Sequence, residues 1–407
     1  MPNTIAATPL ALAVSASTDS PLPISASSLS AVLDELCTRF GARGYQREIA
    51  LETLGHLLGP RTAGTARTDG RRSRSALVQA PTGAGKTFIG LLCARVLGTL
   101  VGARVGWCAG RRELLRQAAR ENARFGFGNE LSLISMFDRT PPKVDLLVVD
   151  EAHHDGAMSM ATLHGCIDPA FVIGLTATPF RRDRVKLCFE KTVRSCSIQM
   201  LVDDGYLSEY RHFMLERWVP EEVAAVYAGE REKWGRSLLF FRTLRESRRA
   251  VDALRAAGVR VELVTGSSDR EAQLGAFAAG SVDALVSMNV LTEGFDCPSL
   301  RTVFCRPSSR LPTVQMCGRV FRKDPSSPVK QIVQSRDTEL PFARLVRPSE
   351  QYIATDQGWR SLGATRALDA EIEAMRVRVA QTKTALPAAI LKARARSQRS
   401  RMGREVD

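Results

Sequence analysis

Aromatic residues are scarce in this chain, where Phe, Trp and Tyr make up 6% of 407 residues and Trp and Tyr number only four and five. That scarcity excludes an aromatic-rich platform on which successive bases stack, so any contact with a nucleic acid is expected to track its backbone with strong salt dependence. No apolar run approaches the roughly 20 residues that cross a bilayer as a helix, which argues against a membrane span. Cysteines are nine, an odd number, and no two stand as C-x-x-C. A disulfide framework and a zinc ribbon are both disfavoured, and the pattern suits core thiols in a reduced cytoplasm. The first 30 residues hold no Lys or Arg, so they lack the basic start of a secretory signal and the arginines of a transit peptide. Their Ala, Ser and Pro content reads as a disordered tail. Acidic residues are also in deficit, 43 against 57 Lys and Arg, leaving a net charge of +14. Such an excess favours a polyanionic partner, although charge alone does not separate nucleic acid from an anionic membrane.

What remains is the composition of a soluble globular protein, long enough for two α/β cores. Apolar runs of strand length alternate with helix-length segments, the pattern of a parallel sheet covered on both faces. In the first half the strand candidates are "ALVQA", "RVGWCA", "LSLIS", "VDLLVV" and "FVIGL"; in the second, "SLLFF", "VELV", "DALVS", "TVFC" and "VKQIV". A polar stretch near residues 217 to 236 separates the series and is taken as the domain boundary. The expected division is therefore a tail at 1–30, a first domain at 31–216, a second at 217–350, and a helical extension with a basic tail at 351–407. The segment 59 to 75, rich in Gly, Thr and Arg, reads as a basic surface loop.

"QAPTGAGKT", residues 79 to 87, follows a strand candidate and opens a helix. A loop so placed can aim backbone N–H groups at phosphate oxygens, and Gly83 and Gly85 remove side chains that would block the approach. Pro81, Thr82, Gly83, Ala84 and Gly85 form the cradle, Lys86 adds a charge for the β- and γ-phosphates, and Thr87 offers a hydroxyl to Mg²⁺. Ala80 stands where the general motif has its first glycine. "VDLLVVDEAHH" then brings Asp150 and Glu151 to the carboxyl edge of the sheet, where nucleotide sites of open α/β folds lie. Asp150 is expected to hold Mg²⁺ through water, and Glu151 to orient and deprotonate the attacking water. His153 and His154 lack a third ligand at metal-like spacing, so zinc is not expected.

"APTGAGKT", "DEAH" and "GLTATPFR", in this order, resemble motifs I, II and III of the superfamily 2 helicases and translocases. The resemblance covers most of residues 40 to 335 and implies two tandem RecA-like α/β domains with ATP in the cleft between them. It nominates Gln46 of "GYQREIA" as a selector for adenine, with Tyr45 stacking or packing beside it. "RVGWCAGRRELLRQ" takes the place of motif Ia, making Arg111 and Arg112 candidates for backbone contacts, although Ala109-Gly110 replaces the usual Pro-Thr. Thr176 and Thr178 match the motif that couples nucleotide state to strand movement, and His153 and Gln315 join them as coupling residues. "VLTEGFDCPSL" resembles motif V, with Gly294 and Asp296 near the nucleotide and Thr292 facing nucleic acid. "QMCGRVFR" resembles motif VI, with Arg319 and Arg322 three residues apart on one helical face and reaching the γ-phosphate from the second domain.

The resemblance thus implies an ATP hydrolase of DEAH-box type that uses Mg²⁺ and couples turnover to inter-domain closure and movement on nucleic acid. The Gln opening motif VI and "TATPFRRD" look more like type III restriction and DNA-repair helicases than like DEAD-box RNA helicases, so DNA is favoured over RNA. Two alternatives stay open: a duplex translocase that separates no strands, and an ATP-gated binder that recruits factors through "SEQYIATDQGWRSLG" and the basic tail. No Asp-x-Glu-x-Lys arrangement is seen outside the DEAH strand, so a nuclease would have to be a partner.

Overall fold

The computed structural model describes residues 25–59, 74–154, 158–177, 189–194, 196–288, 291, 297–363 and 375. Its first sheet holds β1 (Arg74–Gln79), β2 (Val105–Ala109), β3 (Leu131–Ser135), β4 (Leu146–Asp150), β5 (Phe171–Thr176) and β6 (Lys191–Val193). All pair in parallel in the order β3-β2-β4-β5-β1-β6. Parallel sheets need cover on both faces, and the strands show it. Leu146 and Val148 of β4 join the core beneath α1 (Ala26–Phe40), α2 (Gly44–Leu58) and α3 (Lys86–Val101), while Leu147 and Val149 join the core beneath α5 (Met158–Ile167). The helix α4 (Arg112–Arg124) follows β2, and α6 (Ile198–Asp203) follows β6.

The second sheet runs β14-β13-β7-β12-β11-β8-β10-β9. Its strands are β7 (Glu209–Leu215), β8 (Ser237–Phe240), β9 (Val261–Val264), β10 (Ala284–Ser287), β11 (Thr302–Phe304), β12 (Val329–Ser335), β13 (Glu350–Thr355) and β14 (Gly358–Ser361). Its helices are α7 (Pro220–Gly229), α8 (Arg231–Trp234), α9 (Leu244–Ala256), α10 (Arg270–Ala279) and α11 (Arg310–Cys317). Every pairing is parallel except β13 with β14. All ten strand candidates fall on observed strands, and two parallel-sheet α/β lobes are present as expected.

The expected segment limits shift in three places. Residues 26 to 30 are not tail but the start of α1, because Ser25 caps the helix by accepting the Ser28 N–H at 3.1 Å and Leu29, Leu33, Leu36 and Phe40 bury one face. The change of sheet falls between Val193 and Glu209, ahead of residue 217, since β7 pairs with β12 along its whole length. The polar stretch 217 to 236 is instead a helical crossover within the second lobe, α7 and α8, whose Pro220 and acidic first turn suit a helix start. Residues 350 to 361 are a β-hairpin rather than a helical extension.

The hairpin docks through aromatics. Tyr352 stacks on Phe213 with ring centroids 4.7 Å apart, Trp359 meets Trp234 edge-on at 5.6 Å, and Lys233 Nζ lies 4.6 Å from the Trp359 ring. Among the described residues no helix is long and apolar enough to cross a membrane. The 60–73 part of the basic loop and the basic tail from 376 lie outside the described residues.

Candidate nucleotide site between two lobes

The loop at 80–85 leaves β1 and enters α3 with Gly83 at φ +87° and Gly85 at φ +76°, left-handed backbone that a side chain would strain. Its shape is fixed from below. The Ala84 carbonyl accepts hydrogen bonds from the Tyr45 hydroxyl at 2.8 Å and Gln46 Nε2 at 3.2 Å, and Gln46 Oε1 accepts the Arg43 N–H at 3.0 Å. Gln46, expected as an adenine selector, is therefore engaged at both ends of its amide as a brace for the phosphate loop. Lys86 and Thr87 open α3, half-buried beside that loop.

β4 ends at Asp150, which is buried, and one strand, β5, separates it from β1. At the usual strand spacing β1 and β4 stand about 10 Å apart, room for a phosphate group between their carboxyl ends. Glu151 follows at φ +51°, a left-handed conformation rare for a residue with a side chain. Its N–H donates to Asp150 Oδ1 at 2.9 Å, turning the second carboxylate away from the strand axis. Burial, and then the neighbouring Glu151 charge, push the Asp150 carboxyl up to about 7 against the pull of Lys86. Glu151 goes the other way. Burial opposes its charge, but Lys86, His153 and Arg319 together outweigh that penalty and hold it below its ordinary value. One ring nitrogen of His153, Nδ1, lies 3.4 Å from Glu151 Oε2 and 3.3 Å from Thr176 Oγ1. The Thr176 carbonyl in turn accepts the Ala80 N–H at 3.0 Å, so DEAH segment, β5 and phosphate loop form one connected network. The buried Asp150 carboxyl, at the end of β4, and the Thr87 hydroxyl, in the first turn of α3, are oxygen donors of the kind a hard divalent cation takes, and such a charge would favour ionised Asp150.

The second lobe closes over this network. α11 ends at Cys317, and Gly318 lies so close to the phosphate loop that an added Cβ would sit 3.0 Å from Thr82 Cβ and 2.7 Å from the Val314 carbonyl. Arg319 follows, buried, near enough for its charge to lower the Glu151 pKa. The expectation of Arg319 and Arg322 on one helical face is corrected here. Both lie beyond the helix, which ends at Cys317 with Gly318 as its cap, and Arg322 is half-buried at a bend in the segment leading to β12. Gln315 sits on α11. Arg111 and Arg112 begin α4 at the carboxyl end of β2, Arg112 exposed. Thr178, Thr292, Gly294 and Asp296 lie outside the described residues.

One segment with no sequence motif joins all these parts. In the turn between α6 and β7, Leu207 packs so tightly on the phosphate loop that a Cβ on Gly83 would meet its Cδ2 at 2.9 Å. The Tyr206 ring lies 5.2 Å from Tyr45, with the Arg43 guanidinium 5.0 Å from its centroid. The Ser208 N–H donates to the Phe321 carbonyl at 2.9 Å. Sequence reasoning missed this crossing because its signal is tertiary: "GYLS" carries no pattern until both lobes are folded around it.

Known proteins resemble this chain in sequence and fold. The family "Type III restriction enzyme, res subunit" matches residues 132–181, and "Helicase conserved C-terminal domain" matches 218–324. A "51.5 kDa protein" of a Lactococcus phage (isolate 7-9) is 21% identical over 270 residues, a match covering 58% of this chain and 60% of that protein. Among solved structures, the ATP-dependent Type ISP restriction-modification enzyme LlaBIII bound to DNA superposes with a TM-score of 0.53 at 16% identity, over 74% of this chain and 28% of the enzyme. A variant of Dbp5 from S. cerevisiae, bound to RNA and ADP BeF3, superposes with a TM-score of 0.55 at 16% identity, over 78% of this chain and 95% of that one. Likeness at such identity establishes a shared two-lobed fold. One family model thus matches each lobe, around the DEAH strand in the first and up to residue 324 in the second, so both lobes are similar to helicases of superfamily 2, and the first to the type III restriction enzyme res subunit among them.

Proposed function

We propose that the chain hydrolyses ATP between its lobes and uses the cycle to move along DNA. The observation that carries this reading is the cross-lobe contact, with Gly318 against Thr82 and Arg319 beside Glu151. A nucleotide kinase or GTPase can complete its site within one domain, whereas a site divided in this way links turnover to opening and closing. Thr87 and Asp150 would hold Mg²⁺, which when bound neutralises charge on the phosphate oxygens. Backbone N–H groups of residues 82–86 and Lys86 bind the phosphates. Glu151 holds a water and takes its proton, a role supported by a carboxylate whose pKa Lys86, the His153 ring and Arg319 hold below its ordinary value. Arg319 stabilises charge on the transferring phosphoryl group, with Arg322 behind it. Thr176, Thr178, His153 and Gln315 carry the nucleotide state towards the strand-binding face.

That face is the joined carboxyl edges of the two sheets. The start of α4, after β2, meets the start of α10, after β9, through Glu113–Arg270 at 3.5 Å and Arg116–Glu271 at 3.9 Å. Arg111 and Arg112 therefore lie beside the second lobe, where a strand crossing both lobes would pass. DNA is favoured by the motif style, in keeping with the type III restriction family match on the first lobe. Recruitment through residues 349–363 is disfavoured, because the hairpin there is committed to the second sheet.

ATP turnover measured with single-stranded DNA, duplex DNA and RNA, alongside strand displacement, tests the proposal. Stimulation by DNA with displacement is the expected result; stimulation without displacement selects the duplex translocase. Glu151→Gln should bind ATP yet lose about 10²- to 10⁴-fold in turnover. Parent-rate hydrolysis by that variant would refute the site.

A further inference from the structure

Resting on the nucleic-acid reading above, we infer that Phe137 stacks on an unpaired base at the outer end of the strand-binding face, giving the protein a preference for single strands. Phe137 is 67% exposed, the highest value among the large apolar side chains of the described residues. A single exposed apolar residue is ordinarily unremarkable; this one is held out by a built turn. The Ser135 N–H donates to Asp138 Oδ2 at 2.8 Å, the Asp138 N–H to the Ser135 carbonyl at 3.0 Å, and the Phe137 N–H to Ser135 Oγ at 3.3 Å. Its neighbour Met136 is buried and tied to β2 by its N–H on the Ala109 carbonyl at 3.1 Å. Met136 also lies under the backbone of Gly110, where an added Cβ would meet its Sδ at 2.7 Å. The turn thus fixes one apolar residue inward and the next outward.

The register says what Phe137 stands beside. Ala109 of β2 pairs with Ser135 of β3, so Phe137 follows its strand as Arg111 follows the neighbouring one. Arg139, two residues on, is exposed. Two more exposed apolar side chains, Leu244 after β8 and Met288 after β10, stand at strand carboxyl ends in the second lobe. A π-face with Arg111 at the next strand end and Arg139 two residues on fits a ligand with alternating phosphates and flat rings. A duplex interior offers no open base face, and a protein partner gains from those two cations only if acidic. A single-stranded nucleic acid meets both demands.

The test compares wild type, Phe137→Ala and Phe137→Trp by fluorescence anisotropy on three labelled probes: oligo-dT, the same length of abasic strand, and a blunt-ended duplex. Thermal midpoints of the variants serve as the folding control. Phe137→Ala should weaken oligo-dT binding by about tenfold, in line with the loss of one stacked base. It should leave the abasic and duplex affinities within about twofold, and Phe137→Trp should restore binding. Equal affinity of wild type and Phe137→Ala for oligo-dT, or equal loss on the abasic strand, overturns the inference while leaving the proposed function standing. Wild type binding none of the probes overturns both.

Discussion

Gly318 shows what a single hydrogen atom in place of a side chain does for the site. Its backbone is ordinary right-handed helix, so substitution there meets no conformational penalty, only the Val314 carbonyl and Thr82. Gly318→Ala should therefore leave each lobe folded, with a melting temperature within a few degrees of wild type, and hold Arg319 away from Glu151. Since a displacement of about 1 Å can cost about 10²-fold in rate, turnover should fall about ten- to a hundredfold. Wild-type turnover in steady-state assays would show that the lobes do not meet through this residue. At this scale the sequence nominated Lys86, Asp150, Glu151 and Arg319 by residue type alone, and the fold brings charges far apart in the chain within reach of one another. What was not legible is which of them touch across the cleft. Gln46 illustrates the gap, for its amide reads equally as a base selector or a brace until the Ala84 carbonyl is seen beneath it.

At the scale of elements, strands buried on both faces announced themselves as continuous apolar runs, and those were read correctly. β7 was missed because "EYRHFML" has three charged or polar residues among its first four and so makes no continuous apolar run, and β6 because three residues carry no pattern. β7 hides a further consequence. His212, on this strand, is fully buried between Gln334 of β12 at 3.0 Å and Gln351 of β13 at 3.3 Å. Burial lowers its pKa to about 4 from 6.5. The unfolded chain therefore binds more protons than the folded one between those values, and stability falls as the pH drops from 6.5 through about 4. His212→Gln should flatten that part of the curve of melting temperature against pH, whatever it does to the absolute value at pH 7. A slope unchanged by the substitution would assign the acid sensitivity to other groups.

For the whole molecule the question is what holds two lobes together strongly enough to act on one nucleotide yet weakly enough to part. The surface pairs between α4 and α10 are poor candidates. Three of their four side chains are more than half exposed, at 51%, 65% and 93%, and pairs of that kind contribute about 0–1 kcal/mol and are screened by salt. The contacts around Leu207, Ser208 and Gly318 are apolar or backbone-mediated, and Leu207 and Gly318 lie against the phosphate loop, so on the proposed reading closure is governed where ATP binds. Glu113 and Glu271 then have a different effect: they place negative charge along the proposed strand-binding face, on a protein whose net charge of +14 favours a polyanionic partner. The double variant Glu113→Ala, Glu271→Ala should keep ATP turnover within about twofold of wild type, since exposed pairs carry little energy. It should bind single-stranded DNA more tightly, with the gain shrinking as salt rises. Turnover and strand affinity measured across a salt series separate the two accounts. A variant that hydrolysed ATP many-fold more slowly would mean that these surface pairs, and not the composite site, bring the lobes together.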